Sequence, residues 1–215
     1  MTKIVNVTLH ILLIFVILIS SIGLYSCDKK YDEAEVKEAL SELLTKIGVL
    51  NTVYYGNGID YYSSGESDGV YHEANFLHLN TLGFSTIAEL KTLTRQVFTE
   101  EFSQQIFATK LENMGEGDIL IQQARYYQKV DFDGSNICIM VDSTAVSIFD
   151  DRMTFDLDSI RVEGSKRDQV ICYVDVEVSN QDGDHQTKTL KVILLEESDG
   201  WRIDNPVFAN YSDND

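Results

Sequence analysis

The spacing of apolar residues changes along this chain of 215 residues, and that change constrains the fold more than any other feature. Between Tyr31 and Ile47 apolar residues recur at the three- and four-residue spacing of a helix face. From Ile119 onward apolar and polar residues tend to alternate, which is the period of a half-buried strand. Helices followed by strands predict an α+β fold rather than a parallel α/β sheet.

The residues that flank the first helix predict where it begins and ends. Asp32, Glu33 and Glu35 place negative charge near its N-terminus, where the helix dipole favours anions. Gly48 predicts its end, because glycine is a poor helix former and often follows the last turn.

Two short helices are predicted next. Thr86 and Glu89 have the spacing of a capping box, and an apolar stripe follows them. Thr99 predicts the cap of a further helix. The core residues expected in that helix are Phe102, Ile106 and Phe107.

The clearest strand is predicted at 170–178, where every second residue is apolar. The sequences "NQDGDH" at 180–185 and "SDG" at 198–200 predict turns into two further strands. The C-terminal half is therefore expected to be an antiparallel meander. The apolar positions of the clearest strand are Val170, Cys172, Val174, Val176 and Val178.

Residues 54–75, "YYGNGIDYYSSGESDGVYHEAN", predict an irregular segment that is rich in tyrosine. Its rings either anchor the segment to the domain or stack on a ligand, since tyrosine combines a large apolar ring with a polar tip. We favour the anchor, because a long segment would otherwise be poorly packed. The five tyrosines are Tyr54, Tyr55, Tyr61, Tyr62 and Tyr71.

The N-terminus predicts export and a lipid anchor. Ile11 to Leu24 is an uncharged apolar run of the length typical of a signal peptide. The sequence Leu24-Tyr25-Ser26-Cys27 resembles the lipobox of bacterial lipoproteins. That resemblance implies a signal peptide at 1–26, lipidation of Cys27, a tether at 27–30 and one extracytoplasmic domain at 31–215. The alternative is an uncleaved membrane helix that begins near Ile4.

The charge of the chain restricts its partners. There are 35 acidic and 17 basic residues, and Lys3 is the only one of these that precedes Cys27. A strongly acidic surface repels nucleic acid phosphates and anionic lipid, and it favours cationic proteins, peptides or metal ions. We therefore expect no nucleic acid partner.

Two cysteines remain after the lipidation site, Cys138 and Cys172, and both lie in apolar, strand-like segments. Export permits a disulfide between them, and two buried free thiols are the equal alternative. A catalytic cysteine is not expected, because an activated thiolate needs an electropositive setting and this chain is acidic.

Two further segments match functional motifs only in part. "GESDG" at 65–69 fits the Gly-x-Ser-x-Gly pattern of a nucleophile elbow, but its flanks favour a turn over a strand and a helix around Ser67. The segment 131–142 places Asp131, Asp133 and Asp142 at calcium-loop positions, but Asn136 replaces the required glycine. We expect a hairpin turn there, and we nominate no metal ligand, cofactor or catalytic residue.

Three segments resemble the DL-endopeptidase inhibitor family of exported bacterial proteins. They are "FSTIAELKTLTRQVFTEEFSQQIF" at 84–107, "ARYYQK" at 124–129 and "DGWRIDNPVF" at 199–208. The resemblance implies a cystatin-like, nuclear-transport-factor-2-like topology, with N-terminal helices packed on a curved antiparallel sheet. It also implies a non-enzymatic protein that binds and blocks cysteine endopeptidases of the cell wall.

The expected function is therefore that of a membrane-anchored, protein-binding module that modulates a basic cell-wall hydrolase. One alternative is a small-ligand site in a cavity between the sheet and the helices. Another is an enzyme that uses carboxylates with raised pKa values in such a cavity.

Overall fold

The computed structural model describes residues 31–65, 67–111, 124–130, 137–144, 152–166, 168–179 and 183–208. They form an α+β fold with helices before most of the strands, as predicted. The helices are α1 Glu33–Tyr54, α2 Phe76–Leu82, α3 Ile87–Val97 and α4 Glu100–Lys110. The strands are β1 Ser67–Asp68, β2 Tyr71–Glu73, β3 Tyr126–Val130, β4 Ile137–Asp142, β5 Arg152–Lys166, β6 Gln169–Ser179, β7 His185–Glu197 and β8 Gly200–Ile203. The predicted signal peptide and Cys27 lie outside the described residues.

Helix α1 begins after Asp32, whose carboxylate accepts a hydrogen bond from the backbone N–H of Ala34. The helix continues through Gly48 to Tyr54, so the predicted end at Gly48 is wrong. Gly48 lies on the exposed face, and Leu50 extends the buried stripe beyond it. Burial of these later side chains outweighs the roughly 1 kcal/mol that one glycine costs a helix.

The next three helices all begin at capping residues. Thr86 and Glu89 form the predicted capping box of α3, and Thr99 caps α4 as predicted. The sequence analysis missed α2, which Asn75 caps. This helix has seven residues and one buried side chain, Leu79, so it lacks a recognisable apolar stripe. The predicted core residues of α4 are buried: Phe102, Ile106 and Phe107.

The first sheet has the strand order β1-β2-β4-β3, and all its pairs are antiparallel. Strands β1 and β2 come from the segment that was predicted to be irregular. They have two and three residues, which is too short to show an alternating pattern. Tyr71 pairs with Asp142, and Tyr126 pairs with Val141, so β4 is central to this sheet.

The second sheet is the predicted antiparallel meander, with the order β5-β6-β7-β8. Strand β6 confirms the strand predicted at 170–178, and its alternate apolar residues are buried. It pairs with β7 from Gln169 opposite Leu195 to Ser179 opposite His185. The pairing of β5 with β6 shifts register at two places, which marks bulges in β5.

A single cluster of buried side chains includes residues from the helices and from both sheets. Helix α1 packs on β5, and α3 lies against α1 and β8. We expected one curved sheet, whereas no hydrogen-bonded pair among the described strands joins the first sheet to the second. Alternation identifies the buried face of each strand, but it does not identify the strand's neighbours.

Candidate functional site

Three of the five tyrosines anchor the chain around the C-terminal end of α1. The Tyr54 hydroxyl forms a 2.8 Å hydrogen bond with the hydroxyl of Thr94, and burial raises its pKa. The Tyr71 hydroxyl donates at 2.7 Å to the backbone carbonyl that precedes β3 by two residues. The ring of Tyr55 packs 4.0 Å from that of Phe208. These contacts support the anchoring role for Tyr54, Tyr55 and Tyr71.

Arg125 and Tyr126 connect the first sheet to the end of α1. The buried guanidinium of Arg125 donates to the carbonyl of Tyr54 at 2.9 Å and to that of Gly56 at 2.5 Å. The Tyr126 hydroxyl donates to the carbonyl of Val53 at 2.6 Å. The last carbonyls of a helix carry partial negative charge, so a cation is well placed there.

Gly58 allows the chain to pass close to this pair. Its φ of 82° lies in the left-handed region, and a Cβ there would be 2.6 Å from the Tyr126 hydroxyl and 2.7 Å from Arg125. Burial raises the pKa of Tyr126 to about 12, against a smaller opposing effect of Arg125, so the hydroxyl remains a donor. Sequence reasoning missed the roles of Arg125 and Tyr126. The guanidinium of Arg125 bonds to backbone carbonyls, and every residue has a carbonyl, so no acidic residue in the sequence indicates this contact.

The other two tyrosines, Tyr61 and Tyr62, are exposed. The ring of Tyr61 stacks on that of His72 at 5.0 Å, and its backbone bridges to Ala74 beside β2. The backbone N–H of Tyr62 bonds to the carbonyl of Glu73. Both rings are therefore partly exposed, with one face of Tyr61 covered by His72, while their backbones are held beside β2.

Four large apolar side chains are exposed near these tyrosines, and we call them the apolar end: Phe76, Leu77, Val130 and Ile137. Phe76 is 58% exposed and Leu77 is 71% exposed, at the start of α2. Val130 pairs with Ile137 at the end of the β3–β4 ladder. Helix α2 starts two residues after Ala74, whose backbone N–H bonds to β4, so all four belong to one end of the first sheet.

A carboxylate lies beside the apolar end. Asp60 accepts a backbone hydrogen bond from Asn75, the cap of α2, and its side chain is 71% exposed. The backbone N–H of Asp60 donates at 2.8 Å to Nδ1 of His78. The surface thus combines exposed apolar groups with negative charge at its border.

A groove of about 340 Å³ lies between α1, α3 and the turn from β7 to β8. It lies between helices and the second sheet, where a ligand cavity was expected. Its walls combine an aromatic ring with charged groups of both signs. The lining includes Glu42, Lys46, Gln96, Asp199, Trp201 and Arg202.

Cys138 and Cys172 are both free thiols, so the disulfide alternative is not formed in the structure. Cys138 lies in β4 and Cys172 in β6, which belong to different sheets. Burial raises the pKa of the Cys172 thiol to about 11. A thiol held in its protonated form has the properties of a core residue and not those of a nucleophile.

The remaining motifs occupy ordinary structural positions. Ser67 is exposed in β1, so the turn predicted for "GESDG" is limited to the residues around Gly69, which lead to β2. Residues 131–136 of the calcium-loop pattern lie outside the described residues, and Asp142 accepts hydrogen bonds from Thr144. Within the described ranges, no three His, Cys, Asp or Glu side chains are grouped as a metal site.

Comparison with protein families, curated proteins and solved structures found no match to this chain. Of the helices that the structure describes, none has the length and apolar character needed to cross a membrane.

Proposed function

We propose that this chain is a lipid-anchored, extracytoplasmic module that binds a basic cell-wall endopeptidase and inhibits it, without catalysing a reaction itself. We also propose that its fold is a variant of the cystatin-like, nuclear-transport-factor-2-like topology. The observation that carries the proposal is the apolar end, where Phe76, Leu77, Val130 and Ile137 are all exposed at one end of the first sheet. Contiguous apolar side chains on a folded surface typically mark a site for a protein partner.

The position of the apolar end suits a protein that is tethered at its N-terminus. Helix α1 has 22 residues and is therefore about 33 Å long. Cys27 precedes the start of α1 by six residues, whereas Arg125 and Tyr126 attach the first sheet to the C-terminal end of α1. A lipid at Cys27 would leave the apolar end on the side away from the membrane, where a wall enzyme can reach it.

Charge supports a cationic partner. The chain has a formal charge of −18, and Asp60 adds an exposed carboxylate at the border of the apolar end. Opposite charges accelerate the encounter of two proteins, while apolar contacts at the centre provide most of the affinity. Salt should slow association, since the distance over which charges attract each other shortens to about 10 Å at 0.1 M ionic strength.

The test is to measure peptidoglycan digestion by purified wall endopeptidases of the same cell with the full-length protein in detergent micelles. We expect slower digestion in proportion to dose, with faster association at low salt. Leu77→Asp should weaken inhibition by at least tenfold, because it places a charge among desolvated apolar contacts. Leu157→Asp is the matched control, since Leu157 is an exposed apolar residue of the second sheet.

Two results would contradict this proposal. Digestion that is unchanged at micromolar protein would remove the inhibitor function, and equal effects of Leu77→Asp and Leu157→Asp would remove the apolar end as its site. The anchor is tested separately by labelling with a fatty-acid analogue, which should be lost in Cys27→Ala. Label that persists in that variant would exclude lipidation at Cys27.

A further inference from the structure

The groove between α1, α3 and the β7–β8 turn has the size of a small-ligand site. Its volume of about 340 Å³ lies within the range of roughly 300–1,000 Å³ that such sites occupy. Trp201 and Leu43 give it apolar surface, and both side chains are mostly buried. A ligand there would contact an aromatic ring and would be only partly exposed to water.

One wall carries two side chains of opposite charge that do not form an ion pair with each other. Glu42 and Lys46 are one turn apart on α1, a spacing at which such residues commonly form an ion pair. Here neither makes a hydrogen bond or an ion pair with any described residue, and both line the groove. The side chain of Gln96 in α3 likewise has no hydrogen-bond partner in the described part of the chain. As far as the described residues are concerned, these side chains are free to bind a ligand.

The opposite wall is fixed by contacts within the protein. The guanidinium of Arg202 donates to the carboxylate of Asp199 at 2.7 Å, to the carbonyl of Arg95 at 2.8 Å and to the carbonyl of Trp201 at 2.8 Å. The ring of Tyr31 packs edge-on against Trp201 at 5.0 Å. A guanidinium has five N–H donors, so these contacts leave Arg202 with capacity for another acceptor. A wall that is already ordered loses little entropy when a ligand binds.

We propose that this groove binds a small zwitterion of the dipeptide class. The ammonium group of the ligand pairs with the carboxylate of Glu42, and its carboxylate pairs with Lys46 and the N–H groups of Arg202. On a helix, the Cβ atoms of residues four apart, such as Glu42 and Lys46, are about 5–6 Å apart. This separation is close to the length of an extended dipeptide ligand, which is roughly 7 Å. The ring of Trp201 covers a ligand side chain.

This inference does not depend on the proposed inhibitor function. Glu42 and Lys46 lie in the middle of α1, and the other wall belongs to the second sheet, whereas the apolar end belongs to the first sheet. Substitutions in the groove should leave inhibition of an endopeptidase unchanged, and substitutions at Leu77 should leave ligand binding unchanged. Failure of one proposal is therefore distinguishable from failure of the other.

The chain contains a single tryptophan, so fluorescence reports directly on the groove. The experiment titrates alanyl-alanine into the full-length protein in detergent micelles and follows Trp201 emission. We expect a saturable change in emission. Glu42→Gln and Lys46→Gln should each raise Kd about tenfold, since each removes one charge-assisted contact.

Blocked ligands provide the complementary arm. N-acetylation should weaken binding to the unsubstituted protein about tenfold but should have little further effect in Glu42→Gln. C-terminal amidation should behave in the same way with Lys46→Gln. The control Glu38→Gln removes an exposed carboxylate of α1 outside the groove, and it should bind normally. No emission change at millimolar alanyl-alanine would overturn the proposal. A Kd that is unchanged by both blocking groups and by both groove variants would also overturn it.

Discussion

The two sheets of this protein are held by different interactions. The second sheet directs the alternate side chains of its central strands into the shared core, as Val174 of β6 and Leu194 of β7 illustrate. The first sheet also contributes to that core, but its position depends on the hydrogen bonds from Arg125 and Tyr126 to the end of α1. The second sheet depends mainly on apolar burial, whereas the first combines apolar burial with a few specific polar contacts.

This difference matches the placement of the exposed apolar groups. Most of them belong to the first sheet or to α2. Leu157 of β5 is the exception, since it belongs to the second sheet. The exposed side chains of the first sheet are therefore accessible to a partner, while the regular second sheet provides a stable base. The following predictions test this contrast, from the largest effect to the smallest.

The largest effect is expected from Leu194→Ala in the second sheet. Leu194 is fully buried, so its truncation leaves a cavity and should lower the free energy of unfolding by about 3 kcal/mol. Urea denaturation of the full-length protein measures this. Leu157→Ala, on the exposed surface of the same sheet, should change stability by less than about 0.5 kcal/mol. A small effect of Leu194→Ala would show that the second sheet does not depend on burial.

The next effect is expected from Gly58→Ala in the segment that contacts the first sheet. The left-handed backbone costs an alanine roughly 1 kcal/mol, and its Cβ would also displace Tyr126 or Arg125, so we expect a total loss of about 2 kcal/mol. Gly69→Ala is the control, because Gly69 has a φ of 62° but no atom within 4 Å of its Cβ position. Equal losses in the two variants would mean that the contact with Tyr126 is unimportant.

Alkaline pH should weaken the second sheet through Cys172. Burial raises the pKa of its thiol from 9.0 to about 11, so the stabilisation is complete below pH 9 and is lost as the pH rises through 11. We expect this loss to be about 1–2 kcal/mol. The difference in unfolding free energy between the unsubstituted protein and Cys172→Ala, measured from pH 8 to pH 11, isolates it from tyrosine ionisation. A difference that is independent of pH would contradict the assignment.

The smallest effect has the opposite sign. Gly48 lies on the exposed face of α1 with no atom within 4 Å of its Cβ position, so alanine fits there without strain. Gly48→Ala should raise the free energy of unfolding by about 0.5–1 kcal/mol through helix propensity. Thermal unfolding followed by circular dichroism checks this. A variant that unfolds at a lower temperature than the unsubstituted protein would contradict this prediction.

Local patterns were sufficient to predict the regular parts of the molecule. The capping box of Thr86, the cap at Thr99 and the alternation in β6 were all confirmed. The end of α1 was predicted wrongly, because propensity at Gly48 was given more weight than the apolar stripe that continues to Tyr54. Strands β1 and β2 were missed because they are too short to have a period.

The candidate sites were predicted less well, for a physical reason. The tyrosines of the segment 54–75 were recognised, but the sequence did not separate those that anchor the chain from Tyr61 and Tyr62, which are exposed. The groove unites Glu42 with Arg202, two residues that are distant along the chain. No local pattern encodes such a pairing.

The sequence by itself determined the α+β class, the caps of α3 and α4 and the buried faces of the long strands, because each of these follows from interactions between residues a few positions apart. The tertiary structure alone decided that the strands form two sheets, that Arg125 binds the end of α1 and that four apolar side chains share one exposed end. Those features depend on contacts between distant segments, whose geometry is set only when the core packs.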